Sequence, residues 1–199
     1  MRLPTKIIDV VCEMKEPVKL FAAILYENSG LLDKAVELLM EKWGETDFIS
    51  EPQPFNVTDY YEKEMGKSLK RVLVSFRTIG DASLLETWKR ESISIENYLK
   101  DSNGNRAVNI DTGYIDFDKI VLASTKRGPY KIYLKDGMWA DMVLHYEKGS
   151  YSPFIWSFAD FKDGRYIKDC LHIRELYKKG RKLLQQTTPS SQEPLYSQQ

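Results

Sequence analysis

Val18-Lys-Leu-Phe-Ala-Ala-Ile-Leu-Tyr26 leaves a chain few ways to fold. Lys19 is the single charged residue in the run, which has neither a two-residue alternation nor a helical stripe. That is the pattern of a central strand covered on both faces. Such a strand needs neighbours to take its hydrogen bonds and further layers to cover its side chains.

The segments that follow supply them. Leu32, Val36, Leu39 and Trp43 recur at helical spacing, with Ser29 as a candidate N-cap and Gly44 as a stop, so 30–43 reads as a helix returning to a strand near 46–50. Residues 51–68 form a long connection, a kind often tied to function. Over 69–79, Val72, Val74 and Phe76 share one face while Arg71, Ser75 and Arg77 share the other, predicting a half-buried strand. Ser83 and Glu86 have capping-box spacing and open a helix presenting Leu85, Trp88, Ile95 and Leu99. Asp101-Ser-Asn-Gly-Asn105 ends it with turn residues. Strands are expected at 106–111, 118–125, 130–135 and 138–147. Asp136-Gly137 suits a two-residue hairpin turn, Lys148-Gly149 marks another turn, and a final helix is expected over 164–184.

The fold class is therefore α+β. The first half reads βαββαβ, a ferredoxin-like sandwich with its helices on one face of an antiparallel sheet, and an antiparallel β-meander and a C-terminal helix extend it. Residues 1–17 read as an extended arm, 18–185 as a single domain and 186–199 as a disordered polar tail.

Composition narrows the function. The 199 residues carry 29 Lys+Arg and 29 Asp+Glu, a net charge of zero that argues against non-specific DNA binding. The zero is uneven: acids gather at 59–64, bases at 126–131 and 174–182. No apolar run approaches the ~20 residues of a membrane span, and the N-terminus lacks the apolar stretch of a secretory signal. Cys12 and Cys170 alone make neither a disulfide framework nor a cysteine zinc site. A cytoplasmic location is the expectation. Phosphate-loop, dinucleotide-binding, nucleophile-elbow and zinc-protease motifs are all missing. His145 and His172, the two histidines, read as ordinary packed side chains.

Three segments carry candidate chemistry. In Thr58-Asp-Tyr-Tyr-Glu-Lys-Glu-Met-Gly66, Asp59, Glu62, Tyr60 and Tyr61 suit a divalent cation, a sugar or acid–base work; a capped surface helix is the alternative. In Arg106-Ala-Val-Asn-Ile-Asp-Thr-Gly-Tyr114, Asn109 and Asp111 point to one face of a strand, apt for a metal or hydroxyls, unless they form an Asx-turn. In Lys119-Ile-Val-Leu-Ala-Ser-Thr-Lys-Arg-Gly128, a strand delivers Ser124, Thr125, Lys126 and Arg127 to its end as an anion-binding cluster, or as a solvated basic turn. The aromatics Trp139, Tyr146, Trp156, Phe158 and Phe161 read as packing.

Phe55-Asn-Val-Thr-Asp-Tyr-Tyr-Glu-Lys-Glu-Met-Gly66, the Asn109-x-Asp111-x-Gly113-Tyr114 segment, Leu122-Ala-x-Thr-Lys126, Ile132-Tyr-Leu134 and Trp156-x-x-x-Asp160 occur in one order. The set resembles a prokaryotic domain-of-unknown-function family, number 4416, from about Lys19 to Tyr177. The resemblance implies no established activity; some members carry an automatic GTP-binding label. Thr112 and the Tyr130-Lys131 pair depart from the family pattern, which has Pro and His-Arg there.

The reading that unites these segments is a polar cleft for a nucleotide or other phosphate-bearing ligand. Asp59, Glu62 and Asp111 would be its catalytic carboxylates, with Asp59 and Asp111 as ligands of a possible divalent cation, the cofactor being otherwise unknown. Asn109 would hold the cation or ligand hydroxyls, Lys119, Lys126 and Arg127 the phosphate, and Tyr60, Tyr61 and Tyr133 the wall. The alternative is a non-catalytic module contacting a protein or RNA partner through its basic C-terminal helix and aromatic 151–161 segment. Neither reading involves a membrane.

Overall fold

The structure, a computed structural model, describes residues 17–187. The expected arm and tail therefore lie outside the described residues, except that Pro17 opens the first strand and the last helix runs on to Thr187.

The nearly all-apolar run forms β1 (Pro17–Tyr26), and from Val18 onward every residue of it is buried. The chain continues through α1 (Ser29–Trp43), β2 (Thr46–Ile49), β3 (Gln53–Pro54), α2 (Glu62–Met65) and β4 (Lys70–Asp81). A 3-10 turn at Ala82–Leu84 leads into α3 (Leu85–Tyr98), then β5 (Val108–Ile115), β6 (Lys119–Ser124), β7 (Ile132–Tyr133) and β8 (Trp139–Glu147). β9 (Ser150–Pro153), α4 (Ala159–Lys162) and α5 (Ile167–Thr187) complete it.

All the strands join one antiparallel sheet in the order β2-β4-β1-β5-β6-β8-β7, with β3 beside β4 and β9 beside β8. The segment β2-β4-β1-β5 has the strand order of a βαββαβ unit, and the meander β6-β8 extends it. The α+β class stands.

α1 and α3 share one face, as expected of the βαββαβ half, and α4 and α5 cover the other. Val18, Leu20, Ala22, Ile24 and Tyr26 point towards α1 and α3, packing with Leu39, Trp43, Trp88 and Ile95. Phe21 and Ala23 point the other way, into a second core built with Phe161, Cys170 and Ile173 of α4 and α5. α4 and α5 thus cover the second face of β4 over its middle: Arg71, Leu73 and Ser75 are as buried as Val72 and Val74, while Arg77 and Thr78 stay exposed. Burial of those polar residues is offset by partners, Ser75 donating to Asp47 at 2.7 Å and Arg71 meeting two carboxylates.

The caps sit one or two residues ahead of expectation. Asn28, extended, accepts from Leu31 N–H and caps α1, so Ser29 is already helical. Asp81 accepts from Ser83 N–H and starts the turn before α3. The long connection holds the short β3 and the single turn of α2, which has no side-chain cap; Thr58 instead accepts from Tyr60 N–H at 3.1 Å. Asp136 and Gly137 both have positive φ, 49° and 78°, as a type I′ hairpin turn demands.

Gly113 shows why β5 and β6 can meet. A Cβ there would lie 2.4 Å from the Val121 carbonyl oxygen, inside any permitted contact. Gly113→Ala must push β6 away from β5, and an overpacking cost of about 1–3 kcal/mol is expected. A urea midpoint equal to wild type would contradict the packing described.

Candidate functional site

β5 and β6 pair only at Gly113–Leu122, Tyr114–Val121 and Ile115–Ile120. Beyond Leu122, β6 continues against β8 while 108–112 of β5 continue against β1, so the sheet splits. A cleft of about 660 Å³ occupies the split. At Ile110 the free edge of β5 is satisfied by α3: Ile110 N–H donates to Glu96 Oε1 at 2.5 Å, and Lys89 Nζ donates to Ile110 O at 2.7 Å. Two side chains thus stand where a strand would, which is why a lysine and a glutamate sit 4.0 Å apart at 6% and 7% exposure.

On the α5 side of the sheet, Arg71 and Asp111 sit on the two strands flanking β1. The Arg71 guanidinium reaches across to Asp111 Oδ2 at 2.8 Å, also pairs with Asp160, and lies 4.7 Å from the Phe55 ring centroid. Glu64 of α2 grips Arg106, whose NH1 donates to Asn109 Oδ1 at 2.8 Å. Arginine can only donate, so this bond fixes the carboxamide with its Nδ2 turned away. At the other wall Asp141 of β8 meets Lys131 Nζ at 3.2 Å, and the same ammonium donates to Ser124 at 2.9 Å. Lys126 Nζ donates to the Tyr60 hydroxyl at 3.2 Å across the mouth.

Three buried polar atoms on this lining have no hydrogen-bond partner among the described residues: Arg71 Nε, Asn109 Nδ2 and Asp141 Oδ1. These residues are 3%, 5% and 4% exposed, so bulk water does not satisfy them freely. Unmet buried donors and acceptors are costly, and native proteins leave few of them.

Burial also shifts proton affinities. It raises the Asp141 carboxyl pKa against the opposing pull of Lys131, and raises that of Glu96 against Lys89. Tyr61 is pushed up to about 12 by burial and by the Asp111 charge. The hydrogen bonds from Arg106 hold Glu64 below the usual carboxylate range. Asp141 thus has one oxygen tied to the Lys131 ammonium and the other, Oδ1, buried without a partner among the described residues.

Of the residues expected from sequence, Tyr60, Tyr61, Asn109, Asp111 and Lys126 line the cleft, so the three candidate segments meet at one place. Asp59 and Glu62 are exposed and outside the lining, because the single turn of α2 turns Glu64 inward instead. Lys119 binds Asp116 at the opposite end of β6, roughly 16 Å from Ser124 at the rise of an extended strand. Arg127 is exposed beside Lys126, and Tyr133 lies 5.1 Å from Trp139 on β7; neither lines the cleft. The metal pair of Asp59 and Asp111 is not assembled, since one is outside the cleft and the other is held by Arg71. Among the described residues no three His, Cys, Asp or Glu gather as a metal-binding group. Among those same residues, no helix is long and apolar enough to cross a membrane.

Sequence reasoning missed Arg71, Asp141, Lys89 and Glu96. Arg71 falls on the face of β4 that alternation marks as solvent-exposed, but Asp160 of α4 and the Phe55 ring cover it. Lys89 and Glu96, seven apart, lie on the same helix stripe as Trp88 and Ile95, and charges on an apolar stripe were the available signal.

Two measurements check this arrangement. Arg71→Met leaves Asp160 buried without its cation and is expected to cost about 3–5 kcal/mol, part of which Arg71→Met/Asp160→Asn regains; equal stability of the two variants would refute the pairing. Burial raises the Glu96 pKa, so the folded chain holds that proton to higher pH than the unfolded chain, whose carboxyl titrates near its ordinary 4.5. The stability linked to it is complete below about 4.5 and is lost as pH rises through the folded value. Urea midpoints taken from pH 4 to 8 should show wild type losing ground to Glu96→Gln; parallel profiles would contradict it.

No curated protein and no solved structure gives a significant match to the chain. A family model described as "Domain of unknown function (DUF4416)" matches residues 16–177, from the start of β1 to the middle of α5. That match spans well over half of the sequence and every segment that builds the cleft, and the chain belongs to the DUF4416 family.

Proposed function

We propose that the cleft binds a small phosphate-bearing ligand, with the phosphate at the mouth and a polar body inside. The supporting observation is the set of three unpartnered buried atoms, Arg71 Nε, Asn109 Nδ2 and Asp141 Oδ1, on one lining. Its volume of about 660 Å³ is in the range of small-molecule sites.

Charge orients the ligand. Inside, Arg71 faces the two carboxylates of Asp111 and Asp160, Lys89 faces Glu96 and Arg106 is held by Glu64, so the inner end offers no surplus of positive charge. At the mouth, Lys126 has no carboxylate within ion-pair distance among the described residues. Ser124, Thr125 and Lys131 stand beside it on the lining. Hydroxyls and ammonium groups together suit a phosphate.

A second reading, an interaction module for a protein or RNA partner, draws on the outer edge of the sheet. There Tyr130, Ile132, Tyr133 and Ile155 are 55% or more exposed, and Tyr130, Trp156 and Phe154 stack in series at 4.6 and 4.7 Å.

A thermal-shift series separates the two. A phosphate-bearing ligand at 100 times its Kd contributes about 2.7 kcal/mol, a rise of roughly 5–11 °C for a chain of this size. Lys126→Ala should abolish most of the rise at the same ligand concentration. A flat response across sugar phosphates and nucleotides, with and without magnesium, would overturn the ligand reading and favour the module.

A further inference from the structure

Resting on that reading of the cleft, we infer that the body of the ligand is a flat, uncharged heterocycle with both donor and acceptor edges. The ligand class is then a nucleotide carrying a single phosphate group.

The open hydrogen-bonding positions set the first requirement. Arg71 Nε and Asn109 Nδ2 can only donate, while Asp141 Oδ1, on a carboxylate, accepts. A body that satisfies all three presents two acceptors and one donor. A simple alkyl or aryl group leaves them unmet, at the full penalty of buried unpaired polar atoms.

Charge sets the second. A second anion at the inner end would sit among Asp111, Asp160, Glu96 and Glu64, four carboxylates set against the three cations Arg71, Lys89 and Arg106. At short range in a partly dry cleft that repulsion is strong. A neutral body carries no such cost.

Shape sets the third. Phe55, Tyr60 and Tyr61 from the long connection and Phe158 from the turn before α4 all line the cleft. Their rings offer apolar contact to a planar body without reading it, as aromatic side chains do for bases. The number of phosphates follows from the mouth. Lys131 shares its charge with Asp141, so Lys126 is the lining cation there without a carboxylate partner among the described residues. One phosphate brings about −1.5 to −2 charge; a triphosphate brings far more than that mouth can neutralise.

Calorimetric titration of the full chain with five probes tests this: inorganic phosphate, ribose 5-phosphate, AMP, GMP and the triphosphate of whichever nucleotide binds better. At least one monophosphate is expected to bind tenfold or more tighter than ribose 5-phosphate, and its triphosphate no tighter. Asn109→Ala should weaken the monophosphate about tenfold and leave ribose 5-phosphate unchanged, whereas Lys126→Ala should weaken both. Asn109→Asp, close to isosteric, repeats the test if the alanine variant melts early. Ribose 5-phosphate binding as tightly as both nucleotides would overturn the heterocycle while leaving the phosphate reading intact. A triphosphate binding tenfold tighter would overturn the single phosphate. Binding of none of the five would overturn both readings together.

Discussion

A guanidinium buried in the middle of a sheet has to be neutralised where it lies, and Arg71 is that constraint here. Its position on β4 is fixed by pairing, yet its carboxylates come from β5 and from the first turn of α4, 89 residues further along the chain. Satisfying it ties the sheet to the segment that leads into α5 and holds Phe55 of the long connection against it. A buried ion pair of this kind is weak evidence for net stability, because desolvation opposes the Coulomb gain. Its effect is on arrangement: few alternative packings place two acids around one cation.

The split between β5 and β6 shows the same logic applied to the backbone. Parting two strands inside a covered sheet exposes amide groups that must be paired. Lys89 and Glu96 do this from α3, one at the carbonyl and the other at the N–H of Ile110. The sheet can therefore open into a cleft with Ile110 still paired, and residues of both faces come to line one space.

Much of the fold was legible. The unbroken apolar stretch of β1, the stripe of α1 and the Asp136-Gly137 turn are local signals, each enforced by burial or by backbone geometry. The placement of α5 was not, because no residue of α5 announces which face of a sheet its Cys170 and Ile173 will cover. The same holds for α4, whose Asp160 meets Arg71, so Arg71 reads from sequence as solvent-exposed. For the site, Asn109, Asp111 and Lys126 were found because their segments look polar at strand ends. Asp141 escaped because a lone acid among Trp139, Met142 and Val143 looks like the polar phase of a strand. Whether such an acid meets water or a ligand depends on β6 and α4, which lie far from it in the chain.

β1 has a consequence for how the molecule comes into being. Its two flanking strands are residues 70–81 and 108–115, so every partner of the most apolar strand is made after it. At a synthesis rate of about 5–20 residues per second, the stretch ending at Tyr26 waits roughly 4–18 s before Ile115 exists to close its second edge. Throughout that interval a sticky template with at least one open side is attached to the ribosome. Proteins dominated by such distant pairings also fold slowly once complete. The strand that makes the finished sheet secure is thus the one that the nascent chain must keep from pairing with a stranger.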